Sequence, residues 1–278
     1  MIAYLGNLAT LVAIFGILAA TLNVALGHAG IFSVAHAVFF GLGAYAGAQL
    51  AIQFVPDALL AMMVAALVAA GLSLCLALPA LRVRGEYFVA TICSPRLTGG
   101  MGGLDGIPRP TLLGIEVSTL PLALGALALI LLATWLMSRG SFGRTLRAIR
   151  DAESAAEALG KNINAAKALA VAFACAGAGV AGALFALHMS FVNVESFTLD
   201  QSVLVMAMVI VGGTGTLWGP LLGAVLLLSL PAGLSFLSFI PPTEIGAVQQ
   251  IIYGAAMTLL MIFRPAGLLG SMRTGRRA

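Results

Sequence analysis

The stretch LLAMMVAALVAAGLSLCLALPA at residues 59–80 decides the fold, because it is uncharged and long enough to cross a bilayer. A helix needs about 20 apolar residues to cross a hydrocarbon core about 30 Å thick. Similar stretches recur along the chain and contain no Asp, Glu, Lys or Arg. They predict an all-α polytopic membrane protein with about eight transmembrane or partly membrane-embedded helices. The other predicted helices are Leu8–Leu26, Ile31–Leu50, Thr119–Met137, Ala168–His188, a short helix between Ser202 and the glycines near 212, Pro220–Ile240 and Gly246–Phe263.

The composition excludes several classes of protein. Hydrophobic residues make up 61% of the 278 residues and charged residues 9%, whereas an ordinary soluble domain has about 25% charged residues. The mean hydropathy of +1.08 excludes a disordered chain and argues against a nucleic-acid partner, although the pI is about 9.3. Cys75, Cys93 and Cys175 stand singly in apolar stretches without a CxxC pair. We therefore expect no disulfide framework and no metal site.

Positive charge is concentrated in two places. Ten of the 14 Lys and Arg residues are Arg139, Arg144, Arg147, Arg150, Lys161, Lys167, Arg264, Arg273, Arg276 and Arg277. Because Lys and Arg are enriched in cytoplasmic loops, we predict a cytoplasmic loop at 138–167 and a basic cytoplasmic tail at 264–278. The first apolar run lacks a preceding basic segment, so we interpret it as a retained helix rather than a secretory signal. The chain is then one integral-membrane domain over residues 1–278.

One membrane crossing is missing from this topology. Arg82 and Arg84 predict that the third span ends in the cytoplasm. The span at Thr119–Met137, however, must begin outside to deliver Arg139 to the cytoplasm. The only apolar piece between them, Tyr87–Cys93, reaches about 10 Å as a helix. Three explanations stay open: the two arginines lie outside, this piece is re-entrant, or a helix found in relatives is absent.

The cytoplasmic stretch SFGRTLRAIRDAESAAEAL at residues 141–159 predicts an amphipathic helix. Its apolar residues recur at spacings of three and four, at Phe142, Leu146, Ile149, Ala152, Ala156 and Leu159. We expect i,i+4 ion pairs between Arg147 and Asp151 and between Glu157 and Lys161, with Gly160 as the helix stop. The helix either rests on lipid headgroups or docks a cytoplasmic partner. Its mixed charge favours docking, because helices that lie on lipid are mainly basic.

Two glycine-rich segments interrupt the spans, at residues 23–45 and 212–220. Non-helical backbone at membrane depth occurs only where it is buried in protein or lines a water-filled cavity, and broken helices commonly form substrate routes. The alternative is close helix packing through small residues, with the two histidines hydrogen-bonding backbone freed by the glycines. The candidate residues of a translocation path are Gly27, His28, Gly30, Ser33, His36, Gly41, Gly43, Tyr45, Gly212, Gly213 and Gly215.

Motifs for enzyme chemistry or for a built-in motor are absent. The sequence has no HExxH, no GxSxG and no paired catalytic carboxylates, so we predict that the chain is not an enzyme. It also lacks a Walker A loop, so any ATP that drives the protein binds to another subunit. No predicted span contains a carboxylate, which disfavours coupling to an ion gradient.

Several short motifs follow one another in a characteristic order. They are GHAG at 27–30 with Ser33, His36, Phe39, Gly41 and GAY at 43–45; LRVRGEYF at 81–88; LTGG at 97–100; GIP at 106–108; FGR at 142–144; RAIR at 147–150; AAEALG at 155–160; AGAL at 181–184; GGTGTLWGP at 212–220; and FRP at 263–265. In this order the chain resembles the permease subunits of ATP-binding-cassette importers for branched-chain amino acids, a family that includes urea and short-amide importers. The resemblance covers most of the chain.

The resemblance implies a set of partners in the plasma (inner) membrane of a bacterium or archaeon. They are a second related permease, two cytoplasmic ATPases that bind the ATP, a periplasmic substrate-binding protein and the lipid bilayer, with no cofactor bound by this chain. Residues 138–167 become the coupling loop, whose apolar helix face seats in a groove on the ATPase. The residues expected at this contact are Arg147, Arg150, Glu153, Glu157 and Gly160.

The resemblance breaks at one place. Relatives have a further helix, about 20 residues, between the segments that match 87–91 and 97–100, where this chain has only ICSPR at 92–96. Because the topology fails at the same place, we interpret the chain as one helix short of the family pattern through an internal deletion. Alternatives to a working amino-acid importer subunit are a deleted copy that does not transport, a urea or amide importer permease, and a stand-alone channel or carrier. The small path residues do not encode the substrate.

Overall fold

The computed structural model describes residues 2–32, 35–53, 57–77, 103–112 and 115–235, together with positions 251, 254, 255, 258 and 267–269. The α-helices with printed bounds in this part of the chain are α1 (Ile2–Asn23), α2 (His36–Gln53), α3 (Ala58–Ala77), α4 (Thr119–Arg139), α5 (Ser141–Asp151), α6 (Glu153–Ala158), α7 (Ile163–Met189), α8 (Leu199–Gly212) and α9 (Gly219–Ser235). A π turn at Val24–His28 continues α1, and a 3-10 turn at Val194–Phe197 precedes α8.

Only four very short strands accompany the helices in the described part of the chain. They are β1 (Leu104–Asp105), β2 (Thr111–Leu112), β3 (Ile115–Glu116) and β4 (Phe191–Val192), and β1 pairs with β4 and β2 with β3, both antiparallel. Five helical segments there are long and apolar enough to cross a membrane: Tyr4–His28, Ala58–Cys75, Thr119–Arg139, Ile163–Met189 and Val194–Gly212. The predicted all-α polytopic membrane fold is confirmed.

Helix α7 lies at the centre of the bundle because its face is built from Gly and Ala. Side-chain atoms placed on these glycines would overlap neighbouring helices: Gly177 meets Thr21 of α1, and Gly179 meets Ala65 of α3. On the facing helix, a Cβ at Gly43 of α2 would overlap the Gly179 backbone. Helices in lipid associate through close packing rather than through hydrophobic burial. The small residues therefore set how closely α1, α2 and α3 approach α7.

Hydrogen bonds of His188 show how α1, α4 and α7 run relative to one another. His188, near the end of α7, hydrogen-bonds to Asn7 Oδ1 through Nε2 at 2.5 Å and to Thr119 Oγ1 through Nδ1 at 2.8 Å. With Nε2 donating to the amide oxygen, Nδ1 accepts from the threonine hydroxyl. The starts of α1 and α4 thus meet the end of α7, beside β4. We call this the strand end of the bundle, and the opposite end, where α5 lies, the α5 end.

An aromatic cluster holds α2 in the interior. The Phe40 ring lies 5.1 Å from Phe197 and 5.3 Å from Phe185, with interplanar angles of 75° and 58°. It also lies 6.1 Å from Phe15 of α1. Tilted and edge-to-face rings at these distances attract one another beyond simple area burial. The cluster joins α1, α2, α7 and the 3-10 turn.

Helix α2 begins partway along α1 rather than at its end. His36 hydrogen-bonds to the Leu18 backbone, whereas α1 and its π turn run on to His28, about 15 Å further at 1.5 Å per residue. The chain therefore turns back at Gly30, whose φ of +70° suits glycine. The predicted helix start at Ile31 is wrong, because residues 31 and 32 are not helical and α2 begins at His36. Phe32 is 73% exposed.

The span before the glycines near 212 differs from its prediction. The segment before the glycines is longer than the predicted short helix, because the 3-10 turn extends α8 to a continuous candidate span at Val194–Gly212.

Helix α3 runs antiparallel to α7, with Ala61 beside the Gly47–Ala183 contact and Ala69 beside Gly179. It therefore points from the strand end, where β1 lies, toward the α5 end. The missing crossing falls within 78–102, outside the described residues, as do most of the predicted Gly246–Phe263 helix and the 264–278 tail.

We expect Gly43→Ala to weaken the fold. The added methyl group overlaps the Gly179 backbone and pushes α2 from α7, and such overpacking costs about 1–3 kcal/mol. Thermal unfolding of the detergent-purified protein measures the effect as a lowered Tm. Gly125→Ala on α4 is the control, because nothing lies within 4 Å of its added methyl group. Equal melting temperatures for both variants would contradict the packing role.

Candidate functional site

The π turn at the end of α1 is the first part of the site. Its residues Val24–His28 are all buried, and the N–H of Ala29 closes the turn on the Val24 carbonyl at 3.2 Å. A π turn widens the helix by one residue and often marks a functional site. The wider turn leaves the Gly27 carbonyl without a partner inside the helix, so it can accept a hydrogen bond from a group outside it.

The second part is the glycine loop, residues 213–218, which joins α8 to α9. Gly213 and Gly215 have φ of +122° and +77°, a region that side chains strain. Thr216 organises the loop, because its hydroxyl donates to the Gly213 carbonyl at 2.9 Å and accepts from the Gly219 N–H at 3.2 Å. The second bond satisfies the first N–H of α9.

Asn23 joins these two parts across almost two hundred residues of sequence. Its Nδ2 donates to the Thr216 carbonyl at 2.7 Å, and its Oδ1 accepts from the Gly215 N–H at 2.8 Å. The side chain is 1% exposed, so an unpaired amide here would be costly. Gly27 lies so close to Gly215 that a Cβ on Gly27 would overlap the Gly215 backbone.

Arg150 of α5 reaches the same place. Its Nη1 donates to the Gly27 carbonyl, and its side-chain stem lies against Gly30, where a Cβ would come within 3.2 Å of Arg150 Cγ. A predicted coupling residue thus touches predicted path residues. We call this arrangement, formed by Asn23, Gly27, Arg150, Gly215 and Thr216, the junction.

The amphipathic segment differs from its prediction in shape. Ala152 is extended, with φ −156° and ψ 97°, and divides the expected single helix into α5 and α6. The expected Arg147–Asp151 and Glu157–Lys161 pairs are wrong: the ion pair that the structure gives in its described part joins Lys167 to Glu153 at 2.8 Å. Gly160, at φ +72°, ends the segment as predicted.

Arg147 turns back onto the end of α4 instead of pairing with Asp151. Its Nε donates to the Gly143 carbonyl at 3.2 Å and its Nη2 to the Ser138 carbonyl at 2.9 Å. Cationic side chains suit the free carbonyls at a helix C-terminus. This contact fixes the corner between α4 and α5.

The apolar face of α5 and α6 is occupied by this chain itself. Leu146, Ile149 and Ala156 are buried in one cluster with residues of the π turn and α7, namely Val24, Ala29, Ala166 and Ala170. The expectation that this face seats in a groove on an ATPase is therefore wrong for these three residues. We call the exposed side chains of the segment its free face; they include Glu153, Glu157 and, at the tip, Leu159, the last residue of the predicted apolar face, which is 77% exposed.

The remaining predicted path residues lie apart from the junction or beside it. His28 Nδ1 hydrogen-bonds to the Asn23 carbonyl at 3.3 Å. Gly41 packs on the Phe197 ring, Gly43 on Gly179 and Gly212 on Gly219, while the Tyr45 ring lies 6.2 Å from Phe197. These four make helix-packing contacts within the chain. Ser33 lies outside the described residues.

The sequence analysis missed two residues of this region, Asn23 and Thr216. Asn23 carried a usable signal, because it is the only side-chain amide in the first predicted span, and polar groups in such spans are functional candidates. Thr216 carried none, since a threonine in a loop is ordinary. Leu159 was predicted as part of the apolar face, but the pattern did not show that it differs from the buried members of that face in its exposure.

Comparisons with known proteins now place the chain. Residues 4–263 match the family described as "Branched-chain amino acid transport system / permease component". The chain belongs to this permease family. Over 306 aligned positions it is 31% identical to the high-affinity branched-chain amino acid transport system permease protein LivM of Escherichia coli K12, covering 96% of this chain and 70% of that protein. No solved structure matches.

Two shorter similarities widen the picture of this permease. A probable branched-chain amino acid transport permease protein LivM of Methanocaldococcus jannaschii is 27% identical over 46% of this chain and 39% of its own. An autoinducer 2 import system permease protein LsrC of Klebsiella pneumoniae is 35% identical over 44% of this chain and 36% of its own. The permease is thus a multi-pass membrane protein of a transport family.

We expect Thr216→Val to loosen the glycine loop of this permease. The substitution keeps the side-chain shape but removes both hydroxyl contacts, which leaves the Gly219 N–H unpaired and costs about 1–3 kcal/mol. Hydrogen exchange at Gly215–Gly219 measures the change as faster exchange. Thr145→Val is the control, because its hydroxyl only donates to Ser141 on the exposed side of α5. Unchanged exchange in Thr216→Val would contradict the role of the hydroxyl.

Proposed function

We propose that this permease imports branched-chain amino acids as part of an ATP-driven complex in the plasma (inner) membrane of a bacterium or archaeon. The observation that carries the proposal is the exposed α5–α6 segment, which is fixed to both helix breaks through the junction. Such an arrangement suits a subunit in which the ATPases displace the α5–α6 segment and the displacement opens a path at the helix breaks. The partners are a second permease, two ATPases that bind the ATP, and a periplasmic binding protein.

Amino acids are favoured over other substrates by the extent of the similarities. The amino-acid permease of Escherichia coli aligns with 96% of this chain, whereas the autoinducer 2 permease of Klebsiella pneumoniae aligns with 44%. An alignment over nearly the whole chain includes both breaks and the α5–α6 segment. Branched-chain amino acids are therefore the substrate that we propose.

The α5 end faces the cytoplasm in this proposal. Arg139 lies over the Trp135 ring at 4.3 Å at the end of α4, and aromatic and basic residues gather at membrane interfaces. Arg144, Arg150 and Lys161 are exposed at the same end. The coupling loop at 138–167 then meets the ATPase, and the C-terminus lies on the same side.

The ATPase docks, we propose, on the free face of α5 and α6 around Leu159. An exposed apolar tip with charged neighbours Glu157 and Lys161 is the composition of an anchor within a polar rim. Glu153 is held toward α7 by Lys167, and so it stiffens the segment from the side.

The translocation path, in this proposal, runs past the two breaks where Gly27, His28, Gly30, Gly213 and Gly215 lie. Irregular backbone at membrane depth is tolerated where it lines a cavity, and a related permease would complete that cavity. The helix-packing residues Gly41, Gly43, Tyr45 and Gly212 support the walls, His36 begins α2 beside the path, and Ser33 remains a predicted path residue.

We expect Leu159→Asp to weaken binding of the ATPase by about tenfold or more, because an anchor residue contributes about 2 kcal/mol. Co-purification of tagged permease with co-expressed ATPase measures it. Ile115→Asp is the matched control, since Ile115 is 70% exposed but lies in β3 at the strand end. Retention of the ATPase by Leu159→Asp would refute this docking face.

Transport itself is tested with the complete complex in proteoliposomes. We expect ATP-dependent uptake of radiolabelled leucine that requires the loaded binding protein and is suppressed by excess valine or isoleucine. The alignment to the Escherichia coli relative spans 306 positions against 278 residues in this chain, so that relative has residues without a counterpart here. An assembled complex that takes up nothing would identify a deleted, non-transporting copy, and uptake of urea or of autoinducer 2 alone would refute the proposed substrate.

A further inference from the structure

We propose that Arg150 and Asn23 are positioning residues that make α5, the π turn of α1 and the glycine loop move as one body during transport. The inference rests on the proposed function, because it concerns how a push on the α5–α6 segment reaches the path. In this proposal Arg150 and Asn23 transmit the movement of α5 to the path and contact neither the ATPase nor the substrate.

The first step of the transmission is the attachment of α5 to the π turn. Leu146 and Ile149 pack in one cluster with Val24 and Ala29, and Arg150 in addition donates to the Gly27 carbonyl. A charged donor makes a stronger hydrogen bond than a neutral one. With two kinds of contact on one turn, a displacement of α5 carries the π turn with it.

The second step leads from the π turn to the glycine loop. Asn23 donates to Thr216 and accepts from Gly215, and its side chain is itself buried, which strengthens both hydrogen bonds. Gly27 lies against Gly215 without space for a side chain. The loop therefore follows the π turn, and the ends of α8 and α9 follow the loop.

The surrounding backbone provides the freedom for such a movement. Gly213, just before the junction residues of the glycine loop, has a φ of +122°, and Gly30 beside Arg150 has a φ of +70°. Hinges are short segments that absorb changes of φ and ψ at the ends of elements. The junction is thus stiff inside and bordered by glycines, which is the arrangement that a moving unit requires.

Arg150→Met tests the first step, with Arg144→Met as the matched control. Both residues are exposed on α5 and lose the same charge, but Arg150 is the one that donates to Gly27. We expect both variants to co-purify with the ATPase as the wild type does. Uptake per ATP hydrolysed should fall about fivefold or more in Arg150→Met, corresponding to loss of a typical coupling free energy, and stay unchanged in Arg144→Met.

The conservative variant Arg150→Lys separates transmission from general damage. Its ammonium group can still donate to the Gly27 carbonyl, so the ratio of uptake to ATP hydrolysis should recover at least in part. Destabilised protein would lower assembly, hydrolysis and uptake together and leave that ratio unchanged. An unchanged ratio in Arg150→Met, an equal fall in Arg144→Met, or loss of ATPase binding in Arg150→Met would each overturn the proposal.

A second measurement does not depend on transport. Spin labels at Ala148 of α5 and Trp218 of the glycine loop, both exposed, report the distance across the junction in nanodiscs after replacement of the native cysteines. We expect one narrow distance distribution in the labelled parent and a broad one in Arg150→Met and in Asn23→Leu. Narrow distributions in the labelled parent and in both variants would contradict the proposal, even if uptake of leucine had failed for other reasons.

Discussion

Backbone groups that a helix break leaves unpaired inside a membrane must find partners within the protein, since lipid offers none. This constraint governs the junction. The π turn frees the Gly27 carbonyl, which Arg150 pairs, and the glycine loop frees the Gly215 N–H and the Thr216 carbonyl, which Asn23 pairs. Two side chains from distant parts of the chain thus make both breaks tolerable, and each break requires the other segment to be in place.

The same constraint explains why the bundle is arranged around α7. Gly179 and Gly182 admit the backbones of α3 and α2, and Gly177 admits the Thr21 side chain of α1, at distances that any side chain on these glycines would prevent. Close approach brings the end of α1 over the start of α7, where Val24 and Ala29 meet Ala166 and Ala170. There α5 finds an apolar surface, so the position of the junction depends on the packing of small residues along α7.

The sequence analysis located the helices that face lipid accurately, and it was less accurate for the segments that pack against other parts of the protein. Helix α3 was predicted from Leu59 and begins at Ala58, and α4 begins at Thr119 as predicted, because a lipid-facing span is recognisable from hydropathy alone. The start of α2 at His36 was missed, since the apolar residues Ile31 and Phe32 precede it outside a helix. Amphipathicity correctly indicated an apolar face on α5, but a pattern does not say what covers that face, and the cover is this chain's own π turn.

Burial of the apolar face of α5 has a consequence for how force enters the protein. A segment held to its motor by its apolar side would be free to rotate on its own bundle, and a push would be lost in that rotation. Here Leu146 and Ile149 hold α5 to the bundle, and Arg147 fixes its corner with α4. The face that remains offers one apolar tip, Leu159, among charged residues, which suits a contact that forms and releases repeatedly. In the complex that we propose, the strong attachment therefore lies within the permease and the weaker one at the ATPase, so a displacement of α5 would be transmitted to the helix breaks.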